Sequence, residues 1–155
     1  MRRRILENIS GTEENTGNME YELVGSAEIT VETDVVMIPL KKECTDLLLL
    51  CEKMKADKGV QLQIGLDKNY SWKYFAGLNS DLNETKEQNA IINLKKIATR
   101  LWIREGNNHE SYPLSTSGTL VYKNVAEIDI KAANEIYVFA ASALLTSGKI
   151  RIYGR

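Results

Sequence analysis

The sequence predicts an all-β fold, an antiparallel β-sandwich or jelly roll of roughly ten short strands with a flexible N-terminal arm. Two observations lead to this prediction. Many stretches alternate apolar and polar residues, and turn-forming residues separate these stretches at short intervals. The final stretch, KIRIYG, is typical: we expect Ile150 and Ile152 to face the core and Lys149 and Arg151 to face out.

The length and composition suit one globular domain. The chain has 155 residues, of which 43% are hydrophobic and 26% are charged, as in ordinary globular proteins. Residues 1–20 are polar and have no apolar period, so we expect an arm there and a single β-sandwich domain over 21–155. The formal net charge of −1 gives no reason to expect a nucleic acid or a membrane surface as a partner.

The arm begins with three consecutive arginines, Arg2, Arg3 and Arg4. In a signal peptide an apolar segment would follow, and here the sequence turns polar. No run approaches the ~18 apolar residues that a membrane span needs. We therefore expect a chain that is made in the cytoplasm without a signal peptide and is either kept there or carried out as part of a particle, with an arm that contributes to assembly.

The first strands follow the arm. In SAEITVET the apolar residues Ala27, Ile29 and Val31 alternate with polar ones, which predicts a half-buried strand. VVMIPL comes next, where Pro39 indicates a strand end or an edge strand. Cys44 and Cys51 follow, and neither a straight strand nor a helix would bring them close enough for a disulfide. We expect both to be small packing residues.

Two segments fit either a helix or strands. Residues 45–58 have leucines at helical spacing, but they also read as a strand that turns at ADKG into the alternating stretch VQLQIGL. We favour the hairpin. Residues 86–104 also contain a helical period, yet TRLWIRE alternates, so we interpret this segment as two short strands. The remaining predicted strands are TLVYKNV, AEIDIKA, EIYVFAAS and GKIRIYG, and we expect a turn at Ser147 and Gly148 to join the last two.

No motif for catalysis stands out. The single histidine, His109, lies in the predicted loop GNNHES without a nucleophile elbow nearby, and one histidine does not build the usual zinc site. Most carboxylates alternate with apolar residues, as on a solvated strand face. Glycine-rich phosphate motifs are absent from the sequence. We therefore expect no enzyme activity and no cofactor.

One polar loop resembles a calcium loop in its spacing. Asn79, Asp81 and Asn83 occupy alternate positions in NSDLNE. The EF-hand pattern fails, because Glu84 stands where a glycine is needed and Ala90 where a bidentate glutamate is needed. The alternative is an ordinary polar loop, and we assign no metal.

Aromatic residues supply the main candidate binding site. In NYSWKYF a strand would place Tyr70, Trp72 and Tyr74 on one face. Such a strip packs in a core, anchors a protein interface or stacks on sugar rings. The sequence alone leaves these three roles open.

A second candidate site surrounds Trp102. In TRLWIRE this residue alternates with Leu101 and Ile103, so we expect it to point outward between Arg100 and Arg104. A tryptophan between two arginines is typical of a contact site with a polar rim.

Two family resemblances arise from these segments. LLLLCEKMKADKGVQLQIG, YSWKYF and ATRLWIR together resemble the strand succession of jelly-roll carbohydrate-binding modules. The polar arm, the compact β-domain and the closing KIRIYG strand resemble small β-sandwich virion proteins of tailed bacteriophages, which decorate heads or associate with tails.

The second resemblance implies a non-enzymatic structural protein of a virion. Its partners would be other virion subunits or copies of itself in a symmetric assembly, and it would reside in the virion. The first implies a surface glycan bound on the aromatic strip of Tyr70, Trp72 and Tyr74. Phage virion proteins are assembled in the cytoplasm, so the missing signal peptide favours the structural protein.

Overall fold

The computed structural model describes residues 20–59, 62–66, 74–75, 87–109, 120–140 and 142–155, which form strands and connections without a helix. None of these residues therefore belongs to a helix long and apolar enough to cross a membrane. The strands within this part of the chain are β1 (Glu22–Ile29), β2 (Val35–Cys44), β3 (Asp46–Ala56), β4 (Leu62–Gly65), β5 (Tyr74–Phe75), β6 (Gln88–Ala98), β7 (Leu101–His109), β8 (Leu120–Glu127), β9 (Ala133–Ala140) and β10 (Leu145–Gly154).

The strands form two antiparallel sheets, which confirms the predicted all-β sandwich. The six-stranded sheet has the order β1-β10-β3-β6-β7-β8, and the four-stranded sheet has the order β2-β9-β4-β5. Every described strand pair is antiparallel. Side chains from both sheets meet in one hydrophobic core.

The strand order is that of a jelly roll. β1 pairs with β10, β2 with β9, β3 with β6, and β4 with β5. These nested pairs are those of a long hairpin rolled up so that its arms alternate between two sheets. β7 and β8 extend the six-stranded sheet beyond β6 as an additional pair. In this topology β10 lies inside the sheet, between β1 and β3.

Period-two alternation explains which side chains form the core. On β10, Ile150 and Ile152 are fully buried and Lys149 is exposed, as predicted. Over Leu47–Cys51 on β3 and Ala90–Leu94 on β6, inward residues likewise occupy every second position. The buried centre of the core includes Ile38, Leu47, Leu49, Leu62, Ile92, Leu94, Ile136, Val138, Ile150 and Ile152.

The predicted hairpin over residues 45–66 is wrong in its pairing, although both strands exist. β3 belongs to the six-stranded sheet and β4 to the four-stranded sheet. The connection after Ala56 therefore crosses from one sheet to the other and does not join neighbours. The interpretation of 86–104 as strands is confirmed, because β6 and β7 pair with each other on either side of Thr99 and Arg100.

Three smaller predictions need correction. Ser147 and Gly148 lie within β10, where the register shifts against β3, and do not form the turn after β9. AEIDIKA is not a separate strand, because β8 ends at Glu127. β1 ends before Val31, which is 76% exposed. The edge position expected from Pro39 is confirmed, since β2 lies at the edge of its sheet.

The two cysteines lie in different sheets. Cys44 ends β2 and Cys51 lies in β3, and both are buried free thiols. Burial raises the pKa of Cys51 to about 12, so this thiol stays protonated and unreactive at neutral pH.

Candidate interaction surface on the six-stranded sheet

The central strand of the six-stranded sheet is apolar on both of its faces. Leu47 and Leu49 on β3 point into the core and are fully buried. Leu48 and Leu50 alternate with them and therefore lie on the outer face, where they are half-buried. A sheet with one solvated face normally carries polar side chains there, and an uninterrupted apolar run is typical of a strand covered on both faces.

Neighbouring strands extend this apolar surface. Tyr153 on β10 is the partner of Leu48, and Leu23 on β1 is in turn the partner of Tyr153. Ile91 on β6 is the partner of Leu50. Directly opposed side chains on one face lie ~5 Å apart. These five residues thus form one contiguous patch, which we call the outer stripe.

The outer stripe is accessible in the isolated chain. Leu23 is 42% exposed, and the other four members are half-buried. Val125 on β8 is 59% exposed and carries further apolar surface to the opposite edge of the same sheet. Contiguous exposed apolar patches on soluble proteins mark interaction sites more often than isolated apolar residues do.

A buried carboxylate closes one end of the outer stripe. Asp46 Oδ1 accepts hydrogen bonds from the Tyr21 hydroxyl at 2.7 Å and from Asn93 Nδ2 at 2.9 Å. Asp46 Oδ2 accepts one from Arg155 Nε at 3.1 Å. The Arg155 guanidinium also lies 4.3 Å from the centre of the Tyr21 ring, a cation–π distance. We call these four residues the Asp46 cluster.

The main chain reinforces the Asp46 cluster. The amides of Thr45 and Asp46 donate to the Arg155 carbonyl, and the Arg155 amide donates to the Asp46 carbonyl. The first strand, the last strand and β3 are therefore tied together at one point. This arrangement holds the end of β10 and the residue before β1 against the start of β3.

The charge states within the Asp46 cluster follow from these contacts. Burial by itself would raise the pKa of the Asp46 carboxyl, but the hydrogen bonds from Tyr21, Asn93 and Arg155 outweigh it and hold the pKa below its usual range. Burial, followed by the hydrogen bond to Asp46, raises the pKa of Tyr21. The carboxylate is thus an anion and the phenol a donor at neutral pH.

An ion pair and a cavity lie at the other end of the outer stripe. Arg151 Nη2 donates to Glu52 Oε1 at 3.0 Å, and the Glu52 side chain is only 9% exposed. The pair lines a cavity of about 450 Å³ together with charged and polar residues such as Lys53, Ser147 and Lys149. Such a cavity offers hydrogen-bond donors and acceptors to a polar ligand.

Irregular backbone shapes this cavity. Lys53 has a φ of 54°, and its amide donates to Asn89 Oδ1 at 2.7 Å. Opposite, the register of β10 against β3 shifts on both sides of Ser147. Bulges of this kind bend a strand and redirect its side chains. Here the irregular positions lie in the segments of β3 and β10 that line the cavity.

A second cavity, also of about 450 Å³, lies near one end of the sandwich. Asp57 lines this cavity, and its Oδ1 accepts a hydrogen bond from the Leu144 amide at 2.9 Å. This contact holds the connection that precedes β10. Within the described ranges, no three His, Cys, Asp or Glu side chains come together as a metal site would require.

The prediction that Trp102 faces outward is wrong. Its side chain is fully buried in the core, and its Nε1 donates to the Ile130 carbonyl at 3.2 Å. Arg104 shares this inward face and is 2% exposed, whereas Arg100 is exposed in the β6–β7 turn with a φ of 65°. The predicted contact site of Arg100, Trp102 and Arg104 is therefore not formed.

The physical reason lies in the phase of the alternation. The sequence prediction places Leu101 and Ile103 toward the core because both are aliphatic. The outer face of this sheet is itself partly apolar, so both phases of the alternation are compatible with burial. The larger tryptophan fills the core, and Ile103 lies on the outer face beside Val125.

Several predicted site residues lie outside the described part of the chain. They are Arg2, Arg3 and Arg4 of the arm, Tyr70 and Trp72 of the aromatic strip, and Asn79, Asp81 and Asn83 of the calcium-like loop. Tyr74 lies in β5, where its backbone partner is Gly65. His109 ends β7 opposite Asn89 and so is part of a strand, not of a loop.

Sequence reasoning missed the outer stripe. Its signal was present in DLLLLC, because four consecutive leucines in a strand place two on each face. The two interpretations of that segment, a helix or one strand of a hairpin, do not address the side chains on its outer face. Comparisons of the chain with protein-family models, with curated proteins and with solved structures find no match.

Proposed function

We propose that this protein is a non-enzymatic structural component of a larger assembly, specifically a bacteriophage virion protein that decorates the capsid or associates with the tail. It acts through protein–protein contacts. The observation that carries this proposal is the outer stripe, an apolar surface on the face of a sheet where solvated sandwiches carry polar residues.

The surroundings of the outer stripe suit a protein interface. Its centre consists of aliphatic side chains and the ring of Tyr153. The Asp46 cluster and the Glu52–Arg151 pair place charges at its two ends. An apolar centre with a polar rim is the usual anatomy of a protein contact. The surface is also built on paired strands, so little conformational entropy is lost when a partner binds.

The fold class is compatible with this role. Jelly-roll sandwiches serve as capsid domains and as lectin domains. The resemblance of the polar arm and the KIRIYG strand to phage virion proteins favours the first of these uses. Many weak contacts between identical subunits of a particle add to a stable attachment through multivalency.

A particle-association experiment tests the proposal. Phage particles from cultures of the source are banded in a density gradient, and the chain is quantified by mass spectrometry. We expect it to band with the particles in a fixed ratio to the major capsid or tail proteins. Recombinant protein added to particles that lack it should bind, whereas Leu50→Glu should not, because a carboxylate would enter the apolar contact.

The matched control is Met37→Glu. Met37 is 51% exposed on β2 in the other sheet, so the same chemical change leaves the outer stripe intact. Recovery of the chain only in the particle-free fractions would contradict the proposal.

A carbohydrate-binding module is the second candidate function. The observation in its favour is the polar cavity beside Glu52 and Arg151, whose carboxylates and cations can hydrogen-bond sugar hydroxyls. A glycan array probed with the wild type, Trp72→Ala and Glu52→Gln tests it. Binding that either substitution removes without unfolding the chain would support this function, and an array without any bound glycan would speak against it.

A further inference from the structure

We infer that the outer stripe is covered by a second copy of this chain, so that two six-stranded sheets pack outer face against outer face. The inference rests on the proposed function and names the partner of the same surface. Three observations select a second copy: the composition of the stripe, the charges around it and the size of the face.

The first observation is the apolar content that a partner must supply. A second copy brings the same five apolar side chains, of which Leu48 and Leu50 lie on the central strand β3. The N-terminal arm of the same chain, residues 1–20, contains five large apolar side chains: Met1, Ile5, Leu6, Ile9 and Met19. Residues 10–18, between the last two, are all polar or glycine, and Arg2, Arg3 and Arg4 accompany the others. An arm bound to the stripe would therefore bring three further cations to a face that already carries several.

The second observation is the charge balance of the outer face. Outward positions on β1, β10, β3, β6 and β7 carry charges of both signs: Lys53, Lys55, Lys95, Lys149, Arg151 and Arg155 against Glu28, Asp46, Glu52 and Glu105. The described part of this face is therefore mixed in sign, with cations and carboxylates interspersed. A copy of itself is not repelled, whereas a strongly charged partner such as nucleic acid finds no complementary field.

The third observation is size. Six strands at ~4.8 Å spacing and about nine residues per strand give a face of roughly 29 by 30 Å, or about 850 Å². A stable protein–protein contact buries ~800 Å² on each partner. One outer face thus offers enough area for a dimer in which each copy presents the same patch, as a two-fold interface requires.

Sedimentation equilibrium of the full chain over a wide range of concentrations tests this inference. We expect a reversible dimer for the wild type. Leu50→Glu should weaken self-association by at least about tenfold, because an unpaired carboxylate would be buried at the contact. Met37→Glu on the other sheet should dimerise like the wild type. Thermal unfolding of each variant shows that the fold is retained.

A second variant keeps the inference testable if the first variant fails to fold. If Leu50→Glu does not fold, Leu23→Glu takes its place, since Leu23 is already 42% exposed in the single chain. It too should weaken the dimer while the thermal transition persists.

Four outcomes would overturn the inference. They are a wild type that stays monomeric at every concentration, a dimer unaffected by the stripe variants, a dimer broken by Met37→Glu, and dimerisation that appears only after residues 1–18 are deleted. The last would identify the arm of the same chain as the occupant. A monomeric wild type that still binds particles through Leu50 would leave the proposed function standing, so the two failures are distinguishable.

Discussion

Asp46 shows how one side chain can connect distant parts of the sequence. Its carboxylate accepts hydrogen bonds from residues that lie 25, 47 and 109 positions away, Tyr21, Asn93 and Arg155. Hydrogen bonds to a charged acceptor are stronger than neutral ones. The side chain is mostly removed from water, so the loss of its charge would leave three donors without their anion.

We predict that Asp46→Asn lowers the free energy of unfolding by about 2 kcal/mol at neutral pH. The folded pKa of Asp46 is depressed, so its stabilisation is present above the unfolded pKa of about 4 and is lost as the pH falls through the folded value. Urea unfolding at several pH values should therefore show the difference between variant and wild type shrinking below about pH 4.

Asp129→Asn is the matched control for this measurement. Asp129 is exposed, so the same change should alter the unfolding free energy by less than ~0.5 kcal/mol. Equal effects of the two substitutions at neutral pH would show that the Asp46 cluster does not stabilise the fold.

Residue identity alone did not predict which side chains are exposed. The alternation in KIRIYG had an unambiguous phase, because charged residues flank Ile150 and Ile152, and both isoleucines are buried as expected. Around Trp102 the phase was ambiguous, because apolar residues occupy both faces of β7. The sequence therefore located the strand correctly and assigned Trp102 to the wrong face.

At the scale of the element, the contact of β3 with β10 depends on a glycine. Gly148 has a φ of 143°, and a Cβ there would collide with the Met54 sulfur and lie 3.1 Å from the Met54 Cα. Both the backbone conformation and the close approach exclude a side chain. The irregular register of β10 in this region thus requires glycine at position 148.

We predict that Gly148→Ala destabilises the fold by roughly 2–4 kcal/mol, from backbone strain together with overpacking against Met54. The midpoint of urea unfolding measures this change. Lys53→Gly is the contrasting variant on the facing strand. Lys53 already has a positive φ of 54°, so glycine should fit there with a change below ~1 kcal/mol. A Gly148→Ala variant as stable as the wild type would contradict the role given to this glycine.

Strand positions were more predictable than strand partners. Alternation is a local property, so it located β6, β7 and β10 in the sequence. Which strands pair depends on the sheet that the next strand joins after a turn. The turn residues after Ala56 indicate a change of chain direction, but they do not indicate which sheet the next strand joins. The proposed hairpin therefore had the right strands, although they lie in different sheets. The outer stripe was missed for a related reason, since it is assembled from four strands distant in sequence.

At the scale of the whole molecule, the nested strand pairing makes the last strand essential. β10 pairs with β1 on one side and β3 on the other, and among the described strands β1 has no other neighbour in its sheet. Its inward isoleucines are fully buried in the common core. The stability of the fold therefore depends on contacts between strands from the two ends of the described chain. Without β10, neither β1 nor β3 keeps all of its strand partners.

We predict that deletion of residues 150–155 prevents folding, because the six-stranded sheet would lose the strand that joins β1 to β3. Circular dichroism should show no cooperative thermal transition, in contrast to the wild type. Deletion of Arg155 alone is the control: it removes the donor to Asp46 Oδ2 and three main-chain hydrogen bonds with Thr45 and Asp46. It keeps Ile150 and Ile152, so the fold should survive with about 2–4 kcal/mol less stability. A cooperative transition in the longer deletion would show that the sandwich can close without this strand.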